Sequence, residues 1–381
     1  MVTNMRKLFG STAVKLFAAS LFAAPGAVAQ EAAPVDVSAI ANATPAMWRV
    51  TDEDSEFILL GTFHILPPGL EWRTDALNKA MEKADTVYFE VEADTPDAQT
   101  KTIGIMMMEG FNEPGVTLTE MLDENDAAKL KTISTSLNLP IAAIDPMRPW
   151  NAFLTLSVSF IVKQGFDPAS GVDSVLSAQA RTLGKKLQYF ETIEEQIGFF
   201  TGLAPETEKS LLEITLREWE NQVEEFDDLF AAWAYGDVNF IDEEMNTSMR
   251  EEAPEVYATL ITERNEKWVE RIAADMDAGD GTALVAVGAA HLVGEDSLPT
   301  LLKAKGFDVS RYGIEEDATS DDYDSEPETA SIDLVNEDAD DIVAPMLAPA
   351  SPATEFETDD AANDNKAPDV SIEDLLKTIE E

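Results

Sequence analysis

The sequence predicts an α/β fold with a mixed central sheet, two strand units that end in Gly-x-x-His, and an inserted helical subdomain. Three observations support this class. Three short runs are typical of strands, because residues 57–60 are apolar, residues 86–92 alternate apolar and polar side chains, and residues 283–287 are apolar. Helical spacing dominates the long stretch between the last two runs. The segment Gly61-Thr62-Phe63-His64 returns as Gly288-Ala289-Ala290-His291, and each copy directly follows a strand-like run.

The first 29 residues have the pattern of a secretory signal peptide. Arg6 and Lys7 precede an apolar run, and Ala27-Val28-Ala29 is a typical cleavage site. An uncleaved anchor, the alternative, needs about 20 clean apolar residues, and this run is shorter. We therefore expect cleavage near Ala29, a periplasmic or secreted protein, and no stable membrane insertion afterwards.

Two further segments flank the predicted folded domain, residues 46–314. Residues 30–45 are rich in Ala and Pro and are predicted to be a linker. Residues 315–381 contain 23 acidic residues against Lys366 and Lys377, with few aromatics, so we expect an acidic disordered tail. A solubilising role is favoured for this tail over calcium capture or a partner tether.

Charge and cysteine content exclude several classes of function. The chain has a formal net charge of −48, which argues against nucleic acid and anionic lipid as partners. It contains no cysteine, so disulfides, thiolate metal ligands and cysteine nucleophiles are excluded as well.

The first strands lead to His64. Residues 48–50 and 56–60 are strand-like and are separated by the turn-forming residues 52–55, which predicts a hairpin. Pro67-Pro68-Gly69 interrupts regular structure just beyond His64, which places that side chain at a strand-to-loop junction. A helix is predicted over Thr74–Lys83.

The next strand, Thr86–Glu92, alternates apolar and polar residues. Glu90 and Glu92 share one face, and Glu90 is the better candidate for a site because Phe89 and Val91 flank it. An exposed strand face is the structural alternative for both acids.

A helical insert is predicted over about residues 102–280. Its helices are expected at 150–162, 172–183 and 207–233, and a last one carries Arg264 and Trp268 and ends near Asp277. A short strand is predicted at 187–190.

The strand predicted at residues 283–287 leads to His291. Residues 283–287 are all apolar, which is typical of a strand buried on both faces. A helix at 299–305 and a strand at 307–309 are predicted to complete the domain.

His64 and His291 are the only histidines in the chain. With glycine at 19 of 381 positions, two unrelated histidines would rarely both have glycine three residues before them. We expect these glycines to allow a positive φ or a close backbone approach. The two histidines are each predicted to be a metal ligand, a general base or the orienter of another base.

The simplest combination is a divalent metal bound by His64, Glu90 and His291, with an open position for water. Such a site suits hydrolysis of an amide or ester. The spacing does not select among Mn, Co and Zn.

The sequence resembles the TraB/GumN family, which is related to the TIKI proteases and the erythromycin-esterase-like hydrolases. The resemblance runs from about Trp48 to Tyr312 as an ordered set of short motifs. Besides the two Gly-x-x-His segments, these are Phe89-Glu90-Val91-Glu92, Arg148-Pro149-Trp150, Gly171-Val172-Asp173, Phe190-Glu191-Thr192 with Gln196, Trp233 with Gly236-Asp237, and Arg264-Asn265 with Trp268.

The resemblance implies an α/β fold and, for the TIKI branch, metal-dependent proteolysis through His64, Glu90 and His291. It also suggests that Arg264 stabilises developing oxyanion charge. The leading expectation is an exported metal-dependent hydrolase, a peptidase acting on a peptide or protein. Two alternatives stay open: a metal-independent esterase-like hydrolase with His64 as base, and a non-catalytic periplasmic binding or envelope-assembly protein.

Overall fold

The computed structural model describes residue 40 and residues 43–252, 254–279 and 281–313. The predicted signal peptide, most of the linker and the acidic tail lie outside the described residues.

A six-stranded mixed sheet forms the centre of the fold, as the sequence predicts. Its strands are β1 (Met47–Thr51), β2 (Glu56–Thr62), β3 (Thr86–Phe89), β4 (Lys186–Tyr189), β5 (Thr282–Gly288) and β6 (Asp308–Arg311). The spatial order is β4-β3-β5-β2-β1-β6. The first four of these run parallel, whereas β1 is antiparallel to both β2 and β6.

The predicted hairpin joins β1 and β2. Its turn is closed by the side chain of Asp52, which accepts hydrogen bonds from the backbone N–H groups of Ser55 (2.7 Å) and Asp54 (3.1 Å). Asp, Asn and Ser favour such turns because their side chains replace a backbone partner. The hairpin therefore fixes the register with which β2 enters the sheet.

Strand β5 lies between β3 and β2 and is covered on both faces. Leu284 and Ala286 belong to one hydrophobic cluster, whereas Ala283, Val285 and Val287 belong to another. A strand in this position has no solvent face, which explains why residues 283–287 are all apolar.

Helices account for most of the remaining described residues. The first group is α1 (Asp75–Lys83), α2 (Pro96–Glu109), α3 (Leu118–Met121), α4 (Glu124–Ser136), α5 (Ile141–Ile144), α6 (Pro149–Lys163), α7 (Val172–Thr182) and α8 (Ile193–Thr201). The second group is α9 (Pro205–Arg217), α10 (Gln222–Tyr235), α11 (Val238–Ile241), α12 (Ser248–Glu252), α13 (Pro254–Tyr257), α14 (Glu263–Asp277) and α15 (Leu298–Ala304). Two π-helical segments, Asp242–Thr247 and Ala258–Thr262, precede α12 and α14.

The structure revises two details of the predicted insert. Residues 186–189 form β4, which pairs in parallel with β3, so the sheet crosses the helical stretch 102–280 instead of ending before it. The predicted helix 207–233 is two helices, α9 and α10, separated by a 3₁₀ turn at Trp219–Asn221. The break brings Trp219 edge-on to Phe160, with ring centroids 5.5 Å apart, a packing contact that periodicity alone does not reveal.

The helical part also fixes the end of β2. Trp233, 1% exposed, donates its indole N–H to the carbonyl of Gly61 (2.9 Å), and its ring packs against Phe63. Helix α10 thus holds the backbone that leads into His64. Among the described residues, none of the helices combines the length and apolarity needed to cross a bilayer.

Candidate functional site

The four parallel strands end at the same edge of the sheet, and each is followed by a polar residue. These residues are His64 after β2, Glu90 after β3, Glu191 after β4 and His291 after β5. In sheets of this kind, ligands bind beyond the carboxyl ends of the strands. The candidate site therefore lies where the fold class places one.

The two Gly-x-x-His segments meet. Thr62 at the end of β2 pairs in register with Gly288 at the end of β5. A Cβ atom placed on Gly288 would lie 3.1 Å from Glu90 Oε1, 3.4 Å from His64 Nε2 and 3.7 Å from His291 Cδ2. The three residues predicted to share a site thus surround one point.

The glycines of the two segments serve close approach. Gly288 has φ −50°, and Gly61 has no positive φ either, so the left-handed alternative is wrong. A Cβ on Gly61 would lie 3.2 Å from Ala289 Cα, on the turn that carries His291. Glycine at position 61 therefore allows the two strand ends to pack together.

His64 is paired with Asp173. Its Nδ1 lies 2.7 Å from Asp173 Oδ2, and Thr62 donates its hydroxyl to the other carboxylate oxygen (3.2 Å). Glycine at position 171 lets the segment that carries Asp173 pack against the backbone of His64, since a Cβ there would overlap the carbonyl oxygen of His64. Burial lowers the pKa of His64, but the charge and hydrogen bond of Asp173, together with Glu90, outweigh it, so the pKa is raised above 6.5.

His291 has a different environment. Its Nδ1 lies 2.7 Å from Asn265 Oδ1, an acceptor, so Nδ1 carries the proton and Nε2 accepts from Arg264 Nη1 (3.0 Å). The residue is 2% exposed, and its ring packs on Trp268. Burial, reinforced by the charge of Arg264, lowers the pKa of His291 to about 3. This histidine is therefore neutral at physiological pH.

Arg264 lies at the centre of the polar cluster and is 1% exposed. Nε and Nη2 donate to Glu191 (2.7 and 2.9 Å), Nη2 also donates to Glu90 Oε2 (2.7 Å), and Nη1 donates to the Leu260 carbonyl (3.1 Å) and to His291. Acceptors within the protein thus match all five guanidinium N–H groups. The predicted contact of Arg264 with an oxyanion would require it to give up one of them.

The cation determines the charge of Glu90. Burial alone would raise the pKa of Glu90, but Arg264, with smaller contributions from the two histidines and the Gly288 N–H, lowers it to about 2. Glu191 shares the same guanidinium, yet burial raises its pKa. Glu90 is consequently a permanent anion beside His64.

The polar cluster does not fit a three-ligand metal as it stands. Glu90 Oε1 accepts from Gly288 N (2.7 Å), while Oε2 accepts from Arg264 and from Gln196 Nε2 (3.2 Å). His291 Nε2 also faces Arg264. A divalent ion on these atoms would lie against a buried guanidinium and be repelled. Within the described ranges, no group of three His or acidic side chains has the spacing of a metal site.

A cavity of about 50 Å³ lies over this cluster. Its floor includes His64, Glu90, Gly288 and His291, whereas its remaining lining is predominantly apolar. His64 is 18% exposed in its side chain, so one of the two histidines is accessible from this space.

Four residues of the site were not predicted to act there: Asp173, Glu191, Gln196 and Asn265. Each lies in a motif of the family resemblance, and that was the available signal. Asp173 lies on α7 and Asn265 on α14, and each is distant in sequence from the histidine that it contacts, so these contacts depend on the fold. Glu92 lies outside the cluster, with its side chain 47% exposed and beside Arg181.

The chain belongs to the TraB/PrgY/gumN family, whose model matches residues 46–311. Within this class, two similar relatives are proteins called "Uncharacterized protein YbaP". The one from Escherichia coli (strain K12) is 24% identical over 259 residues, covering 68% of this chain and 92% of the relative. The one from Shigella flexneri is 24% identical over 245 residues, covering 64% and 87%. No solved structure gives a significant match.

Proposed function

We propose that this chain is a hydrolase that uses His64 as a general base to activate water against a carbonyl compound. The observation that carries the proposal is the His64–Asp173 pair, with Nδ1 bonded to the carboxylate and Nε2 directed to the cavity floor. A histidine oriented by a carboxylate, with its second nitrogen available, is a recurring arrangement for proton transfer.

The proposed reaction begins with neutral His64, whose Nδ1–H donates to Asp173. Nε2 takes a proton from a water molecule while the water oxygen attacks the carbonyl carbon of an ester or amide. The imidazolium is stabilised by Asp173 and by the anionic Glu90. It then returns the proton to the departing alcohol or amine, leaving the carboxylic acid and the original enzyme.

Arg264 and His291 position groups in this scheme. Arg264 keeps Glu90 ionised, and His291 accepts one of its N–H groups. The oxyanion role expected for Arg264 stays a prediction.

The test is a panel of chromogenic esters and amides with short acyl groups, assayed with the full chain in the presence of a chelator. His64→Gln is expected to lower kcat/KM by about 10²–10⁴-fold, the usual contribution of a general base. Arg49→Met, on the exposed side of β1, is the folding-matched control and should retain activity. Chelator-resistant activity that His64→Gln leaves unchanged would contradict the proposal.

A metal-dependent peptidase is the second candidate. The observation that favours it is the approach of His64, Glu90 and His291 to one point near Gly288. A divalent ion there would require Arg264 to release Glu90 and His291. Activity that disappears with chelator and returns with Mn, Co or Zn would favour this candidate. Ligand-dependent stabilisation without turnover would instead favour a binding protein.

Export belongs to the same proposal. The basic residues, apolar run and Ala27-Val28-Ala29 support a periplasmic or secreted location. A mature N-terminus at or near Gln30, read by Edman degradation, is the expected result, and an intact Met1 in the exported fraction would contradict it.

A further inference from the structure

The cavity has a polar floor and an apolar wall. Besides His64 and Glu90, the cavity is lined by the buried side chains of Met245, Met249, Leu260 and Ile261, which we call its wall. The proposed reaction uses none of these four side chains. They nevertheless enclose the space in which a substrate carbonyl would meet His64.

The wall is built on unusual backbone. Met245 lies in the π-helical segment Asp242–Thr247, and Leu260 and Ile261 lie in the second one, Ala258–Thr262. Single π turns are rare and occur frequently at functional sites, because the extra residue changes which side chains face inward. Two such turns line this one small cavity, which indicates that its wall is part of a functional site.

Direct hydrogen bonds connect the wall to the floor. Asn246, on the first π segment and fully buried, donates to the carbonyls of Ala290 (2.9 Å) and Val293 (3.0 Å), which bracket His291. On the second segment, the carbonyl of Leu260 accepts from Arg264 (3.1 Å). The apolar side chains are therefore held at a fixed distance from the polar cluster.

We propose that this wall is the specificity pocket of the site, and that the substrate carries a compact, uncharged, apolar group next to the bond that is hydrolysed. This inference rests on the proposed function. A charged group would be buried against methionine and aliphatic side chains without a partner, which is costly. At about 50 Å³, the cavity has room for only a few water molecules, at roughly 10–15 Å³ each, which matches a methyl to isopropyl group.

The experiment is a binding measurement on the full chain with ¹³C-methyl-labelled methionine. The probes are N-acetylvaline methylamide and its threonine counterpart, which has the same shape but carries a hydroxyl. Met245→Leu and Met249→Leu assign the two wall signals. We expect the valine probe to shift both signals saturably, and the threonine probe to bind about 10- to 100-fold more weakly.

The chain supplies its own control. Met107 and Met108 are 66% and 81% exposed on α2, and their methyl signals should stay unchanged throughout the titration. Ile261→Phe, which fills the pocket, should abolish the valine response. The comparison of probes in the unsubstituted chain remains decisive if that variant does not fold.

Equal binding of the two probes, no response at Met245 and Met249, or equal shifts at Met107 and Met108 would each overturn the pocket. The readout is binding and does not require turnover. Selective binding of the valine probe with no hydrolysis of any ester supports the pocket while the proposed function fails. Hydrolysis of valine and threonine esters with equal kcat/KM overturns the pocket while the proposed function stands.

Discussion

The histidines of the two Gly-x-x-His segments, His64 and His291, differ in exposure, hydrogen-bond partners and pKa. His64 is partly exposed, bonded to an anion, and has a raised pKa. His291 is buried, bonded to an amide and a guanidinium, and has a pKa lowered to about 3. Equivalent positions in sequence have therefore become a titratable group and a fixed neutral one.

This contrast suits the two histidines to different protonation states. When the environments of two ionisable groups move their pKa values apart, the pair can hold different protonation states at one pH. Here the partly exposed His64 is the one with a raised pKa, while the buried His291 accepts a hydrogen bond from the cation Arg264. The neighbouring charges, Asp173 for one and Arg264 for the other, decide which is which.

Removing Arg264 should have the largest effect on this contrast. Arg264→Met leaves Glu90 and Glu191 buried without their cation, and breaking a buried ion pair costs about 3–5 kcal/mol. Urea denaturation measures the loss in the free energy of unfolding. The control Arg49→Met removes an exposed ion pair and should cost less than about 1 kcal/mol. Equal losses would contradict the central role of Arg264.

The two histidines should give stability opposite slopes with pH. His291 has a folded pKa near 3, below its unfolded value of 6.5, so its contribution is present above pH 6.5 and is lost as the pH falls. His64 has a raised folded pKa, so its contribution is complete below 6.5 and is lost as the pH rises through that pKa.

Single variants separate these slopes. His291→Gln should flatten the decline of unfolding free energy between pH 6.5 and 4.5, above the range in which Glu90 begins to contribute. His64→Gln should flatten the alkaline decline only. Denaturant titrations on both sides of pH 6.5 make the measurement, and a shared response of the two variants would remove the distinction between the histidines.

Asp173→Asn should lower the pKa of His64 and so make it more like that of His291. Burial is already the largest single influence on the pKa of His64, and with the carboxylate gone Asp173 no longer offsets it, so this pKa should fall below that of the unsubstituted chain. Because the chain has two histidines, ¹³C NMR of the imidazole rings gives two assignable titrations. The expected loss of stability is about 1 kcal/mol, since the pair is partly exposed. An unchanged His64 midpoint would contradict the pairing.

The two motif glycines test the close approach of the two strand ends. Gly61→Ala places a Cβ against the backbone of Ala289 and should cost about 1–3 kcal/mol through overpacking. Gly288→Ala meets side-chain atoms of Glu90 and His64 and no backbone atom, so its cost should be smaller than that of Gly61→Ala. It should nevertheless perturb the His64 ring signal, whereas a silent spectrum would place Gly288 away from the site.

Local pattern explains much of what could be predicted. The hairpin turn at Asp52–Ser55, the apolar strand β5 and the helix that carries Arg264 all follow from residue spacing. The pattern of residues 187–190 predicts a strand but not its pairing with β3. A strand of four residues is stable only beside a partner strand, and local sequence does not identify that partner. The same limit concealed the break between α9 and α10.

The sequence by itself determined the fold class, the family motifs and the pairing of His64, Glu90 and His291 as candidates, because strand periodicity and the repeated segment are local properties. The tertiary structure decided their chemical states. Asp173 contacts His64, and Asn265 and Arg264 contact His291. The residues in these contacts are 26 to 109 positions apart in the sequence. A pKa depends on burial and neighbouring charge, which exist only once these segments have packed together.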